Sequence, residues 1–344
     1  MFRVRRRTAA GRHRRRGIAT VLLAALCLTA CGTGSQDEPA PRAPGGDALE
    51  QTQIDVGLSL KVLAFLPAYV ARAQGFWEDE GLDVNIIEFK GDADVVQALA
   101  GDAVDVNVAA LQGALNMIKG GQDVRVVWGG MNVADFSWYM QPQYKGWEDL
   151  KGKKFAVTSP GSLTELLLKA IAKENGLDPE KDLEIVKVGT TSNAFAALRS
   201  GTIDVAFLSP PTKYQAEEEG FKLLATQAEE IATDWPKEVV YAKQEVIDGS
   251  PNTMRAFLRG MSEAIDFAAA NRDETVRIIA DEFKIETKYA ERAYDELIPG
   301  FVSSGALPSE DAMSAFWETA VTAGDVTEPW ELERWWDDRF VDAG

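Results

Sequence analysis

One phrase occurs twice in this chain, and it constrains the fold more than any other feature. Residues 98–110 read ALAGDAVDVNVAA and residues 197–211 read ALRSGTIDVAFLSPP. Leu99 precedes Asp105 by the same interval as Leu198 precedes Asp204, although the glycine lies one place earlier in the first copy. In both copies a helical stretch ends, the chain turns, and an apolar strand begins. The repeat therefore predicts two units of shared design.

The segments around both copies alternate short apolar strands with helical stretches. LKVLAFL (60–66) is predicted as a strand that stops at Pro67, and the triplet Gly-Leu-Asp recurs at 81–83 and 176–178. This alternation predicts an α/β fold with two lobes, each a mainly parallel sheet flanked by helices. Two crossing segments, 134–146 and 234–247, should join the lobes, and the second reads as a strand returning to the first lobe.

The first thirty residues have the pattern of a secretory signal. Eight arginines precede an apolar run from Ile18 to Ala30, which is short for a membrane span. Leu28-Thr29-Ala30-Cys31 resembles the bacterial lipoprotein processing box, and by that resemblance Cys31 carries lipid. Residues 31–52 are rich in Gly, Pro and acidic residues, which predicts a flexible tether.

Removal of the signal would also remove most of the reactive side chains. The single histidine, His13, and one of the two cysteines, Cys27, lie in it, so only the lipidated Cys31 would remain. We therefore expect no disulfide, no His or Cys metal site, no cofactor and no His-based catalysis. Loss of eight arginines would change the net charge from −18 to −26, which disfavours nucleic acid as a partner.

Several phrases resemble a known family. GFWEDEGLDV (75–84), the first copy of the repeat, and DLKGKK (149–154) are similar, in this order, to phrases of ABC-importer solute-binding proteins. The subgroup is the one that binds alkanesulfonates, taurine, nitrate and thiamine-related pyrimidines. The likeness runs from about Leu60 to Phe283, with Asp102 in place of the usual glycine.

The resemblance implies a type II periplasmic-binding-protein-like fold that closes on a small molecule between its lobes. It implies an ABC permease with a cytoplasmic ATPase as partner, and an exported protein anchored by Cys31 to the outer face of the cytoplasmic membrane. We expect a monomer. The predicted divisions are a signal (1–30), a tether (31–52), the first part of lobe one (53–146), lobe two (147–234), and a return strand with C-terminal helices (235–344).

Ligands of open α/β sheets bind beyond the carboxyl ends of the strands, so candidate residues follow strands in both lobes. The Gly-Ser turn at 161–162 opens a helix and could bind an anion, although an ordinary helix cap is the alternative. No chosen loop carries Lys or Arg, which keeps a neutral or zwitterionic heteroaromatic ligand possible. The candidates are Phe65, Pro67, Tyr69, Leu111, Gln112, Asn132, Ser159, Gly161, Ser162, Thr164, Thr190, Ser209 and Trp235.

Two other features are expected to stabilise the fold and not to bind the ligand. Asp105 and Asp204 precede strands at the end opposite the ligand, so we expect them to bind backbone N–H groups or cap a turn. The tryptophan-rich segment WELERWWDDRF (330–340) is predicted to be a helix docked by its aromatic side.

Transport is the leading function, and two alternatives stay open. One is a pyrimidine-synthase-like enzyme of the same family, which the lack of His and Cys disfavours. The other is a ligand-sensing domain that presents its closed form to a membrane sensor.

Overall fold

Two five-stranded sheets organise the chain, in a computed structural model that describes residues 48–341. The order in the first sheet is β2-β1-β3-β10-β4, and in the second it is β7-β6-β8-β5-β9. The strands are β1 (Gln53–Leu58), β2 (Asp83–Glu88), β3 (Val106–Ala110), β4 (Val124–Met131), β5 (Ser137–Met140), β6 (Lys153–Val157), β7 (Leu183–Lys187), β8 (Val205–Leu208), β9 (Lys222–Thr226) and β10 (Glu238–Lys243).

Helices cover both sheets, and short 3-10 turns at Leu63–Phe65, Trp147–Asp149, Ile298–Gly300, Leu332–Arg334 and Asp338–Phe340 complete the described part. None of the helices within 48–341 combines the length and the apolar composition that a membrane span requires. The helices are α1 (Leu66–Gln74), α2 (Phe76–Asp79), α3 (Asp92–Ala100), α4 (Leu111–Lys119), α5 (Leu163–Glu174), α6 (Pro179–Asp182), α7 (Thr191–Arg199), α8 (Thr212–Glu218), α9 (Gln227–Glu230), α10 (Gln244–Gly249), α11 (Pro251–Ala270), α12 (Arg272–Phe283), α13 (Thr287–Leu297) and α14 (Glu310–Ala323).

The two sheets exchange one strand each. β5 pairs antiparallel with β8 and β9, whereas β10 returns to the first sheet and pairs antiparallel with β3 and β4. The other four strands of each sheet share one direction, so each sheet is mainly parallel. The chain therefore enters the second sheet before Ser137, earlier than the predicted division at 146, because β5 already bonds to strands of that sheet.

The repeated phrase has the same structural role in both lobes. Asp105 precedes β3 and accepts a hydrogen bond from the backbone N–H of Asp55 in β1 at 2.8 Å. Asp204 precedes β8 and accepts one from the backbone N–H of Lys154 in β6 at 2.9 Å. Each carboxylate thus ties the start of its strand to a neighbouring strand. The prediction that these two residues bind backbone N–H groups is confirmed.

The first strand lies earlier than the sequence pattern indicated. β1 is Gln53–Leu58, and the predicted strand LKVLAFL instead contains a 3-10 turn and the start of α1. A short, fully apolar run fits a buried helix as well as a strand, and Pro67 suits the first turn of a helix. The parallel pairing of β1 with β2 and β3 decides the assignment.

The C-terminal segment docks by its aromatic side chains but is not a regular helix. It contains only two 3-10 turns, and Trp336 forms an isolated bridge with Val126 of β4. Trp335 is 1% exposed, with its ring centroid 6.1 Å from that of Trp317 in α14. Backbone bonding to β4 therefore replaces the predicted helical geometry while keeping the predicted aromatic packing.

Candidate functional site

Polar side chains gather where the strands of each sheet end. In the first lobe Gln112 follows β3, Asn132 follows β4, and Glu238 begins the antiparallel strand β10. In the second lobe Ser159 follows β6, Ser209 follows β8, and Gln227 follows β9. All six residues are buried. These two sets define what we call the first edge and the second edge.

The two edges face each other and the lobes touch beside them. The Asn116 side chain in α4 donates a hydrogen bond to the carbonyl oxygen of Gly161 at 2.9 Å. Asp92, the first residue of α3, lies close enough to the backbone N–H of Leu163 in the second lobe and to the Ser59 hydroxyl for both to lower its pKa. These contacts place the helix that carries Gln112 and the loop that carries Ser159 at one interface between the lobes.

Each of these six side chains carries a buried polar atom with no hydrogen-bond partner among residues 48–341. The atoms are Gln112 Oε1, Asn132 Oδ1, Glu238 Oε2, Ser159 Oγ, Ser209 Oγ, and both amide atoms of Gln227. Buried polar groups are nearly always paired, because an unpaired one loses its bonds to water without replacement. Their concentration at two facing edges is the arrangement expected of a polar ligand site.

A buried charged cluster lies beside the first edge. Lys237 is 1% exposed and forms an ion pair with Asp135, and its Nζ lies 3.8 Å from the centroid of the Phe136 ring. Burial lowers the pKa of Lys237, while the charges of Glu238 and Asp92 act in the opposite direction. Burial raises the pKa of Glu238, and burial likewise raises that of Asp92. The first edge therefore adjoins several buried ionisable groups.

A cavity of about 440 Å³ opens next to this cluster. It is bounded by the two segments that cross between the lobes and by the end of α13. Its lining includes Asn132, Asp135, Asp234 and Glu296. The cavity therefore borders the first edge at Asn132 and carries three acidic side chains, while the other five edge residues lie outside its lining.

Comparison with known proteins decides the family. The model of the NMT1/THI5-like family matches residues 63–275. The chain belongs to this family. It is 23% identical, over 339 residues, to the nitrate/nitrite binding protein NrtA of Synechococcus elongatus, which covers 86% of this chain and 75% of that protein.

Solved structures agree with the fold of this NMT1/THI5-like protein. A protein of Bordetella bronchiseptica RB50 superposes with a TM-score of 0.76 at 26% identity, covering 86% of this chain and 97% of that one. The alkanesulfonate-binding protein SsuA of Xanthomonas axonopodis pv. citri, bound to MOPS, superposes with a TM-score of 0.67 at 18% identity, covering 79% and 92%. The predicted periplasmic-binding-protein-like fold and the family resemblance are confirmed.

Several candidates in the second lobe hold their own loop together. Ser162 caps α5 by accepting from the N–H of Glu165 at 3.4 Å, and Thr190 caps α7 by accepting from the N–H of Asn193 at 3.1 Å. Thr164 Oγ1 accepts from the N–H of Thr158 at 2.9 Å. Ser162 and Thr164 thereby order the loop that carries Ser159 and Gly161, and Thr190 orders the loop between β7 and α7.

Three candidates of the first lobe, Phe65, Pro67 and Tyr69, are buried in its core. Phe65 and Pro67 are buried in the turn and helix that replace the predicted strand. The Tyr69 hydroxyl donates to Glu88 at 3.0 Å, and its ring meets that of Phe283 edge-on at 5.2 Å. The expectation that these residues follow a strand is wrong, because β1 ends at Leu58.

Leu111 and Trp235 lie closer to the charged cluster. The backbone N–H of Leu111 donates to the carbonyl oxygen of Lys237 at 3.3 Å. Trp235 is fully buried with its ring centroid 5.3 Å from that of Phe316, and its indole N–H has no partner in the described range. Leu111 therefore contacts Lys237 of the charged cluster, and Trp235 lies two residues before Lys237 in the chain.

Sequence reasoning missed Lys237, Glu238, Asp135 and Gln227. The rule that ligands follow parallel strands overlooks Lys237 and Glu238, since they lie at the start of an antiparallel strand. The signal that could have identified them is a Lys-Glu pair entering an otherwise apolar strand, because charged residues are rarely buried without function or partner.

We expect Glu238→Gln to remove a pH dependence of stability. Burial raises the pKa of Glu238 from 4.5 to about 8, so within this window the folded state binds more protons than the unfolded state. Stability attributable to Glu238 therefore falls as pH rises through the window. The melting temperature of the variant minus that of the parent should increase between these pH values. Glu245→Gln, an exposed change beyond the other end of β10, should give a constant difference. A constant difference for both variants would contradict the assignment.

Proposed function

We propose that this chain is the solute-binding component of an ABC importer, which captures a small molecule by closure of its two lobes. The observation that carries the proposal is the set of buried, unpaired polar atoms on the facing edges. In a binding protein these groups become satisfied when the ligand bridges the lobes. Relatives named as binding proteins support a receptor over the pyrimidine-synthase-like alternative.

The ligand classes suggested by the relatives are nitrate or nitrite and alkanesulfonates. A pyrimidine or other heteroaromatic solute, which the sequence left open, belongs in the same screen. Delivery would be to a membrane permease driven by a cytoplasmic ATPase. The proposal also holds that the protein is exported, is a monomer and carries a lipid on Cys31. Cys31 lies outside the described residues.

A thermal-shift screen of sulfonates, nitrate, amines, pyrimidines and aromatic carboxylates tests the proposal. A ligand present at a hundred times its Kd should stabilise the folded protein by about 2.7 kcal/mol and raise its melting temperature. Titration calorimetry and tryptophan fluorescence should then report saturable binding with one site. If no compound in the screen shifts the melting temperature, the receptor function is contradicted.

Gln227→Ala provides a site-specific test of the same function. The Gln227 side chain is fully buried with both amide atoms unpaired, so its removal breaks no hydrogen bond within residues 48–341. Binding of the identified ligand should weaken about tenfold, because one ligand hydrogen bond is lost. Gln122→Ala, at an exposed position, should leave the affinity unchanged. Equal affinities of the two variants would exclude Gln227 from the site.

A further inference from the structure

The position that the sequence suggested for an anion is already filled by the protein. At the start of α5 the N–H of Gly161 donates to the Glu165 carboxylate at 2.5 Å, and the N–H of Glu165 donates to Ser162. The Asp92 carboxyl group, from the opposite lobe, lies close enough to the N–H of Leu163 for that N–H to lower its pKa. A nitrate or sulfonate at this helix start would meet the acidic groups of Glu165 and Asp92.

The unpaired atoms of the first edge are hydrogen-bond acceptors. Gln112 Nε2 donates to the Asp325 carboxylate at 2.6 Å, which fixes the amide orientation and leaves Oε1 as the free atom. Asn132 Nδ2 donates to the carbonyl oxygen of Ala306 at 3.3 Å, so its free atom is Oδ1. Glu238 Oε2 is the third unpaired oxygen of this edge, and it needs a donor from the ligand when the carboxyl group is ionised.

The charges at the interface also favour a ligand that donates hydrogen bonds and carries positive charge. Asp92, Asp135 and Glu238 surround Lys237, which is the only buried basic side chain among residues 48–341 and is engaged by Asp135. An oxyanion would meet the Asp135 carboxylate and two further acidic groups, Asp92 and Glu238, whose pKa burial raises, and it would meet no unengaged buried cation. A ligand cation would instead be attracted by them, since opposite charges in a poorly solvated site interact strongly.

The second edge is less restrictive. The hydroxyls of Ser159 and Ser209 and the amide of Gln227 can donate or accept, and the indole N–H of Trp235 can only donate. These groups suit the other end of an organic solute, where a hydroxyl, a carbonyl, a ring nitrogen or a carboxylate would accept their hydrogen bonds.

Resting on the receptor function proposed above, we propose that the cleft selects an organic solute with a protonated amine, whose ammonium group binds the oxygens of Gln112, Asn132 and Glu238. Simple oxyanions are poor ligands of this site. In the bound state the ammonium group also keeps Glu238 ionised, because a neighbouring cation favours the carboxylate.

Matched pairs of compounds test this selection by titration calorimetry on the full-length protein. The pairs are taurine with ethanesulfonate, β-alanine with propionate, and benzylamine with benzyl alcohol, with nitrate as a further oxyanion. In each pair that binds, the amine should bind at least about tenfold more tightly. Ethanesulfonate or nitrate binding as tightly as the amines would overturn the inference and leave the receptor function intact. Failure of every compound, here and in the broad screen, would contradict the receptor function as well.

Two variants locate the ammonium group. Glu238→Gln keeps the shape of the side chain but removes its charge, and should weaken amine binding about tenfold. Glu245→Gln makes the same chemical change at an exposed position and should leave affinity unchanged. Unchanged amine binding by Glu238→Gln, with a normal melting curve, would exclude Glu238 as the recognition group.

Discussion

Lys237→Met is expected to destabilise the folded protein by about 3–5 kcal/mol, the cost typical of breaking a buried ion pair. Lys237 is 1% exposed and paired with Asp135, itself buried, so the methionine would leave a buried carboxylate without its counter-charge. The loss should appear in urea unfolding at about pH 6, below the lowered pKa of Lys237 of about 7. Methionine retains the length and apolar stem of lysine, which limits any packing loss.

A double variant separates charge from packing. In Lys237→Met with Asp135→Leu both charges are gone, so most of the lost stability should return. Lys145→Met, at an exposed position, should change stability by no more than about 0.5 kcal/mol. A single variant as stable as the parent would show that the buried pair has no role in holding the crossing segments together.

Gly305→Ala is expected to be similarly severe, at about 3–5 kcal/mol, from steric overlap and backbone strain together. Gly305 has a φ of 71°, and a Cβ atom there would overlap the indole ring of Trp128 in β4. The same glycine accepts a backbone hydrogen bond from Gly129 at 2.7 Å, so the chain cannot move away without breaking this contact. Thermal and urea unfolding would measure the loss.

Gly324→Ala is the matched control for that clash. Gly324 ends α14 with a φ of 80°, but no atom lies within 4 Å of the position of an added Cβ. Alanine there should cost only the backbone strain, about 1–2 kcal/mol. If the two alanine variants were equally stable, close packing of the segment around Gly305 against Trp128 of β4 would be contradicted.

Local patterns predicted much of the architecture. The repeated phrase predicted two lobes, and the positions of Asp105 and Asp204 predicted their bonds to backbone N–H groups. Both depend on short-range geometry, in which a helix end, a turn and a strand follow each other along the chain. Ser162 was likewise recognisable as a helix cap from its neighbours, although the sequence left an anion site open at the same position.

The wrong assignments arose where the local pattern was ambiguous. LKVLAFL has no polar residue except Lys61, so its apolar run could not distinguish a strand from a buried turn and helix. Phe65, Pro67 and Tyr69 were chosen at and just after the end of that predicted strand, and they are buried in the turn and helix that replace it. The sequence pattern also did not show that β10 runs antiparallel to its neighbours. Lys237 and Glu238, at the start of that strand, were therefore not recognised as candidates.

The sequence by itself determined the two α/β lobes, their mainly parallel sheets and the edge at which a ligand should bind. Alternation, turns and caps are properties of neighbouring residues. Only the tertiary structure decided which groups meet there, namely Asp92 at the start of α5, Asp135 against Lys237, and Asp325 on Gln112. The reason is physical: the charge and hydrogen-bonding state of a buried group depend on partners far away in the chain, which folding alone brings within reach.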